Sequence, residues 1–234
     1  MNVKQSLTAG LFSLFAANIG AQELSISVTN LTQGFHFTPL IVASHDENAS
    51  IFTVTDTASA ELQALAEGGD ISGVSTMLTA ASADISENPA AGLLAPATNV
   101  ELNLSTSDGN NLLSLATMML PTNDGFVGLD SWPIPTEAGT YVVWLNAYDA
   151  GTEANDEQIV GAAGGPPGAP GIPAAPGGDA GMNGTGLSDM QTNSTVHIHR
   201  GALGDDDLAG GQSDLDNRIH RWLNPVAKVT ITVQ

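Results

Sequence analysis

The sequence contains no cysteine, hardly any basic residues and few aromatics, and each shortage closes off a class of answer. With no Cys among 234 residues, neither disulfides nor thiolate metal centres are available. An exported form must then rely on its core and on bound ions. Lys and Arg number 5 against 25 Asp and Glu, a formal net charge of -20, and residues 5 to 199 contain neither base. Phosphate binding needs those side chains, so nucleic acid and anionic lipid are excluded as natural partners. The carboxylates of that stretch cannot be paired locally; they are solvated, hydrogen-bonded or bound to cations. Aromatic residues make up 5%, too few to line the sugar cleft of a glycosidase. Trp132, Trp144 and Trp222 therefore read as core or loop anchors.

What is present begins with a secretory signal. Lys4 supplies a positive start, Leu7 to Ala17 is an apolar run without an acid, and Ile19-Gly20-Ala21 ends in small residues suited to cleavage. That run is too short to span a bilayer. Residues 1–21 read as a signal peptide and 22–234 as one domain, secreted or extracellular (periplasm and cell surface included), with no membrane insertion.

The pattern along the domain is β. Leu24, Ile26 and Val28 alternate with polar residues, as do Val100, Leu102 and Leu104, and again Val229, Ile231 and Val233. Phe35–Val42, Ile51–Val54, Leu112–Leu120 and Thr140–Tyr148 are further strand-length runs. The turn Ser107-Asp108-Gly109-Asn110 before Leu112 suggests a hairpin joining the strands on either side. Ala58 to Glu67 departs from this pattern: Leu62 and Leu65 lie three apart, Gly68-Gly69 follows, and Thr57 or Ser59 offers a cap. It reads as one short helix. Residues 161–186 form a Gly/Pro/Ala tract with little to bury, a flexible insertion by composition. Together these features predict an antiparallel β-sandwich with one short helix and a long Gly/Pro-rich insertion.

Two loops place carboxylates at strand ends beside a glycine: Thr122-Asn123-Asp124-Gly125 and Tyr148-Asp149-Ala150-Gly151-Thr152-Glu153. If they meet, two charges about 5 Å apart repel by roughly 3 kcal/mol at an effective dielectric near 20. With no base nearby, a hard cation is the simplest remedy, calcium before magnesium because every available ligand is oxygen. A separate acidic run stands at Asp205-Asp206-Asp207. His197 and His199, two apart in a strand, share a face, and His45 could approach them to form a transition-metal site or metalloenzyme centre. Hydrolase signatures are missing: there is no Gly-x-Ser-x-Gly and no His-Glu-x-x-His. Ser44-His45-Asp46 would point to alternating faces and cannot form a triad.

The stretch Leu115-Ala116-Thr117-Met118-Met119-Leu120-Pro121-Thr122-Asn123-Asp124-Gly125-Phe126-Val127-Gly128-Leu129-Asp130, followed by Tyr148-Asp149-Ala150-Gly151-Thr152-Glu153, resembles the spondin domain of F-spondin and mindin. Those proteins carry Pro-Ser-Pro-Asp-Trp-Phe-Val-Gly and, later, Tyr-Asp-Ala-Gly-Thr-Asp. Bacterial spondin-like secreted proteins are more similar still, from Val28-Thr29-Asn30 to Pro225-Val226-Ala227. The resemblance implies a C2-like β-sandwich with a calcium site at one edge and a non-enzymatic role in cell adhesion or extracellular-matrix binding. By motif the ligands are Asp124 and Asp149, with Glu101 of the preceding strand as the third carboxylate. Two departures stand out: Gly125 replaces the family's tryptophan, and Glu153 an aspartate. The implied partner is an extracellular protein or glycan. A structural envelope component, with neither metal nor ligand, is the remaining possibility.

Overall fold

The computed structural model describes residues 20–160, 170–188 and 192–234. The signal assignment falls almost wholly on residues outside this set. Among the described residues ten strands and two helices follow one another: β1 (Glu23–Asn30), β2 (His36–Phe37), β3 (Ile41–His45), α1 (Ala60–Gly68), α2 (Ser72–Ala80), β4 (Asp84–Glu87), β5 (Asn99–Ser105), β6 (Leu112–Leu120), β7 (Gly125–Pro133), β8 (Gly139–Asp149), β9 (His197–Ile198) and β10 (Ala227–Val233).

The strands form one antiparallel sheet in the order β4-β3-β6-β7-β8-β10-β1-β5, with β2 added to β6 and β9 to β8. Its ends approach each other, β4 lying against β5, so the sheet is nearly closed into a barrel-like shape rather than split into two separate layers. Asp84 bridges the seam: its carboxylate accepts from the Ser107 amide and hydroxyl and from Asn110 Nδ2, and also from Ser44 Oγ. The long β8 turns the corner. Residues 139–145 pair with β10, while 146–149 pair with β7.

β1 and β10 show the alternation expected of strands buried on one face, Leu24, Ile26 and Val28 packing with Val229, Ile231 and Val233 inside the barrel. β6 does not alternate because both its faces are covered. Leu113 and Leu115 face the barrel interior, while Ala116 joins a second core with Ile41, Ala43, Leu62, Leu65, Val74 and Leu78 beneath the helices. The expected β5–β6 hairpin does not form. β5 pairs with β1, and β6 with β3 and β7, since a strand covered on both faces takes its neighbours from the middle of the sheet.

α1 begins at Ser59, whose side chain accepts from the Leu62 amide, and ends at Gly69 with φ +70, as its sequence suggests. α2 has no counterpart in the sequence reading. Its small residues mask a pair of buried positions, Val74 and Leu78, one turn apart. Asp70 Oδ1 accepts from the Ser72 amide at its start. Ile51–Val54 is not a strand: Asp130 Oδ1 accepts from the Ile51 amide at 2.7 Å and holds this segment over β7.

Of the Gly/Pro-rich tract, residues 161–169 lie outside the described set, and 170–188 run against the body. Ile172 is fully buried, exchanges backbone hydrogen bonds with Gln158 and Val160, and is followed by links from Gly181 to Asp214 and from Leu187 to Asp156. One large aliphatic side chain among small residues is enough to seat the segment. Among the described residues no helix is long and apolar enough to cross a membrane.

Candidate functional site at the acidic loop edge

The two acidic loops meet because β7 and β8 are paired at that end, Gly125 opposite Asp149. Thr122 shapes the first loop. Its hydroxyl donates to the Met119 carbonyl at 2.6 Å and accepts from the Gly125 amide at 2.9 Å. Gly125 is buried, and a Cβ there would lie 2.6 Å from Thr122 Oγ1 and 3.2 Å from His199 Cδ2. The position where the spondin resemblance has a tryptophan is therefore filled here by neighbouring side chains.

Asp124 is fully buried. Its Oδ2 accepts from the amides of Thr152 (2.8 Å) and Glu153 (3.1 Å) and from Thr152 Oγ1 (3.3 Å), whereas Oδ1 is buried without a hydrogen-bond partner. Burial, and then the neighbouring charge of Asp149, push its carboxyl up to about 7 against the pull of those amides. Asp149 is held by the Gly151 amide on Oδ1 and by Asn155 Nδ2 on Oδ2, both at 2.8 Å. Gly151 is required in the second loop: its φ is +75, and a Cβ would meet the Ser194 carbonyl carbon at 2.6 Å.

A third carboxylate, Glu153, lies beside this pair. Its Oε2 accepts from the Gly171 amide and Asn123 Nδ2, and its buried Oε1 has no hydrogen-bond partner. Burial and the charge of Glu67 push it up to about 8. Asn123 stands between the acids, donating also to Asp156 Oδ1.

The other sequence-derived candidates lie elsewhere or play different parts. Glu101 is exposed on β5, opposite Ser27, which is opposite Thr230, which is opposite Val142. It is thus three strands and seven residues from Asp149, about 14 Å across the sheet and about 23 Å along it, and does not join the pair. The motif placed it on the preceding strand, but that strand is not adjacent. His45 is buried beside Ser114 and Asp46, its ring nitrogens 2.7 Å from Ser114 Oγ and the Asp46 carbonyl. His199 tilts against Trp222 with ring centres 4.9 Å apart. His197 approaches the carboxylates themselves. Its Nδ1 donates to the Thr195 carbonyl at 2.7 Å, and Nε2 lies 3.8 Å from Asp149 Oδ2. The Asp205 run folds on itself, Asp205 accepting from the Asp207, Gln212 and Ser213 amides. Among the described residues no group of three or more His, Asp or Glu is gathered closely enough to hold a metal ion.

Residues 29–157 match the sequence profile of the Spondin_N family, more than half of the chain. The chain belongs to the Spondin_N family. The match contains both acidic loops and stops before β9 and β10. No curated protein matches the sequence. Spondin_N domains are extracellular and generally non-catalytic, and this one is a mostly β domain consistent with an extracellular binding module. Within it, sequence reasoning missed the amides of Thr152 and Glu153 that grip Asp124, and Asn155 on Asp149. Backbone donors leave no signature in side-chain identity, and Asn155 stands six residues from the acid it holds.

Proposed function

We propose that this Spondin_N chain is a secreted, non-enzymatic adhesion or binding module, residues 1–21 being its export signal, and that its acidic loop edge takes up calcium through Asp124 and Asp149. In this reading the two halves of the sheet act as the layers of a C2-like sandwich with the ion at one rim. The observation that carries it is Asp124 Oδ1, a buried carboxylate oxygen with no hydrogen bond, next to a second buried carboxylate. Such an atom is costly unless protonated or matched by a positive charge, and the region has no Lys or Arg. The residues present fit a hard cation by chemistry, being oxygen donors only. Two carboxylates leave the remaining four to six ligands of calcium to backbone carbonyls, solvent or a partner.

When bound, calcium supplies the positive charge that the pair lacks and a coordination site for an acidic group of an extracellular partner. The chain's own residues do the positioning. Thr152 and Glu153 fix one oxygen of Asp124, so the other keeps a constant aim; Asn155 and Gly151 do the same for Asp149. A transition-metal site on histidines has in its favour only the approach of His197 to Asp149.

The test is thermal unfolding of residues 22–234 in EDTA and then in calcium, magnesium or zinc. A ligand at a hundred times its Kd adds about 2.7 kcal/mol, which raises the midpoint by roughly 5 to 10 °C in a domain this size. Calcium is expected to give that rise in the native sequence and none in Asp124→Ala. A rise with zinc alone would move the chemistry to His197, and no rise with any ion would sink the cation reading.

A further inference from the structure

We propose that the outer face of β8 carries a second, cation-independent site, a groove for a neutral glycan with Trp144 as its stacking platform. This goes beyond the calcium edge and uses neither of its carboxylates, Asp124 and Asp149.

The groove arises from the corner in the sheet. β7 and β8 pair only as far as Gly128 opposite Asn146. Beyond that point β7 stays with β6 while β8 leaves with β10. The facing edges at Leu129–Asp130 and Trp144–Leu145 separate, and a cavity of about 320 Å³ opens between them, large enough for a small polar ligand. The segment Phe52–Val54 forms its far wall. Phe52 packs edge-on to Phe126 and tilts against Tyr148, with ring centres 5.0 and 5.1 Å apart. It can do so because residue 128 is glycine: a Cβ there would lie 2.5 Å from the Phe52 ring.

The lining has the chemistry of sugar recognition. A pyranose presents a face of C–H groups and a rim of hydroxyls, so it needs a flat aromatic surface beside side chains that both donate and accept. Trp144 is 58% exposed, an unusual state for the largest apolar side chain unless something covers it. Asn146 and Tyr148 follow it on the same face of β8, at spacings of two and four residues, and Thr53 faces them across the groove. These groups supply an amide, a phenol and a hydroxyl. An anionic sugar is disfavoured, because the lining contains Asp130 and no Lys or Arg. Lys228 stands opposite Trp144 on β10, on the side of the indole away from the groove. A quaternary amine is disfavoured too: Trp144 and Tyr148 are about 13 Å apart along the strand and make a platform, not a cage. A protein partner would need a far larger apolar area than one groove offers.

The experiment is affinity electrophoresis of the full secreted chain through gels containing β-glucan, α-mannan or galactan, with heparin and an unglycosylated peptide mixture as controls. Running it in EDTA keeps its outcome separate from that of the calcium edge. Retardation by at least one neutral polysaccharide is expected, weakened tenfold or more by Trp144→Ala and several-fold by Asn146→Ala, with Trp144→Phe retaining most of it. Because Trp144 is exposed, its variants are expected to melt like the native protein. The proposal is overturned by any of three results: no retardation by any neutral polysaccharide, retardation that Trp144→Ala leaves unchanged, or Trp144-dependent binding of heparin or peptide instead.

Discussion

Replacing Asp124 with asparagine tests the acidic edge in its sharpest form, because the expected sign is opposite to that of most core substitutions. In the native protein without a cation, burial and Asp149 raise this carboxyl from 3.8 to about 7. The folded state therefore holds a proton that the unfolded chain has already released. The contribution of this group alone to stability is greatest below pH 4, falls as pH rises towards 7, and levels off above. The loss across that window is about 4 kcal/mol at 1.36 kcal/mol for each tenfold change in protonation equilibrium. Asparagine avoids it. Its carbonyl keeps the hydrogen bonds from Thr152 and Glu153, and its uncharged NH2 occupies the place of the unpartnered oxygen. In EDTA at pH 8, Asp124→Asn should thus melt higher than the native protein, by up to about 8 to 16 °C. Its midpoint should vary less between pH 4 and 7, and calcium should not raise it further. The assay is a pH series of thermal melts with and without calcium. A variant less stable than the native protein in EDTA at pH 8, or one that still responds to calcium, would refute the reasoning.

Three further outcomes are expected. Glu101→Ala should change stability by less than about 0.5 kcal/mol, as an exposed substitution away from special contacts does, and should leave the calcium response intact; a lost response in melts would restore Glu101 as a ligand. Gly128→Ala should cost about 1–3 kcal/mol by displacing the Phe52 ring, measured by urea unfolding, and a neutral result would mean that the segment above β7 gives way freely. Asp130→Ala removes acceptors for the Ile51 amide and for the Ser50 and Ser131 hydroxyls. It should cost at least 1–3 kcal/mol and raise hydrogen exchange at Ile51; unchanged protection there would show that the segment is held by packing alone.

Much of the local structure could be read from residue order. Ser59 and Gly69 mark the ends of α1, and the alternation in β1 and β10 names their buried faces, because capping and pleating are local physics. Which strands become neighbours is not local. Alternation at Val100–Leu104 says which side of β5 is buried but not that β1 will sit beside it, and the error about Glu101 follows from that gap. The same limit hides Trp144. Its sequence context, Val142 to Tyr148, is dense in apolar residues, and only the corner at β8 explains why its indole faces water. The meeting of Asp124 with Asp149 was suggested by motif order, whereas the unpartnered oxygen depends on amide positions that no residue type announces. Composition alone also understated residues 170–188, where Ile172 does the anchoring.

The pairing of β1 with β10 has a consequence for how the chain acquires its shape. Partners such as Leu24 and Val233 stand more than 200 residues apart, and β10 also links β1 to β8. Until β10 arrives, β1 and β5 have no connection through the ladder to the strands from β3 to β8. Such distant closure cannot begin until β10 has been synthesised. The barrel is therefore locked late, when β10 joins β1 to β8.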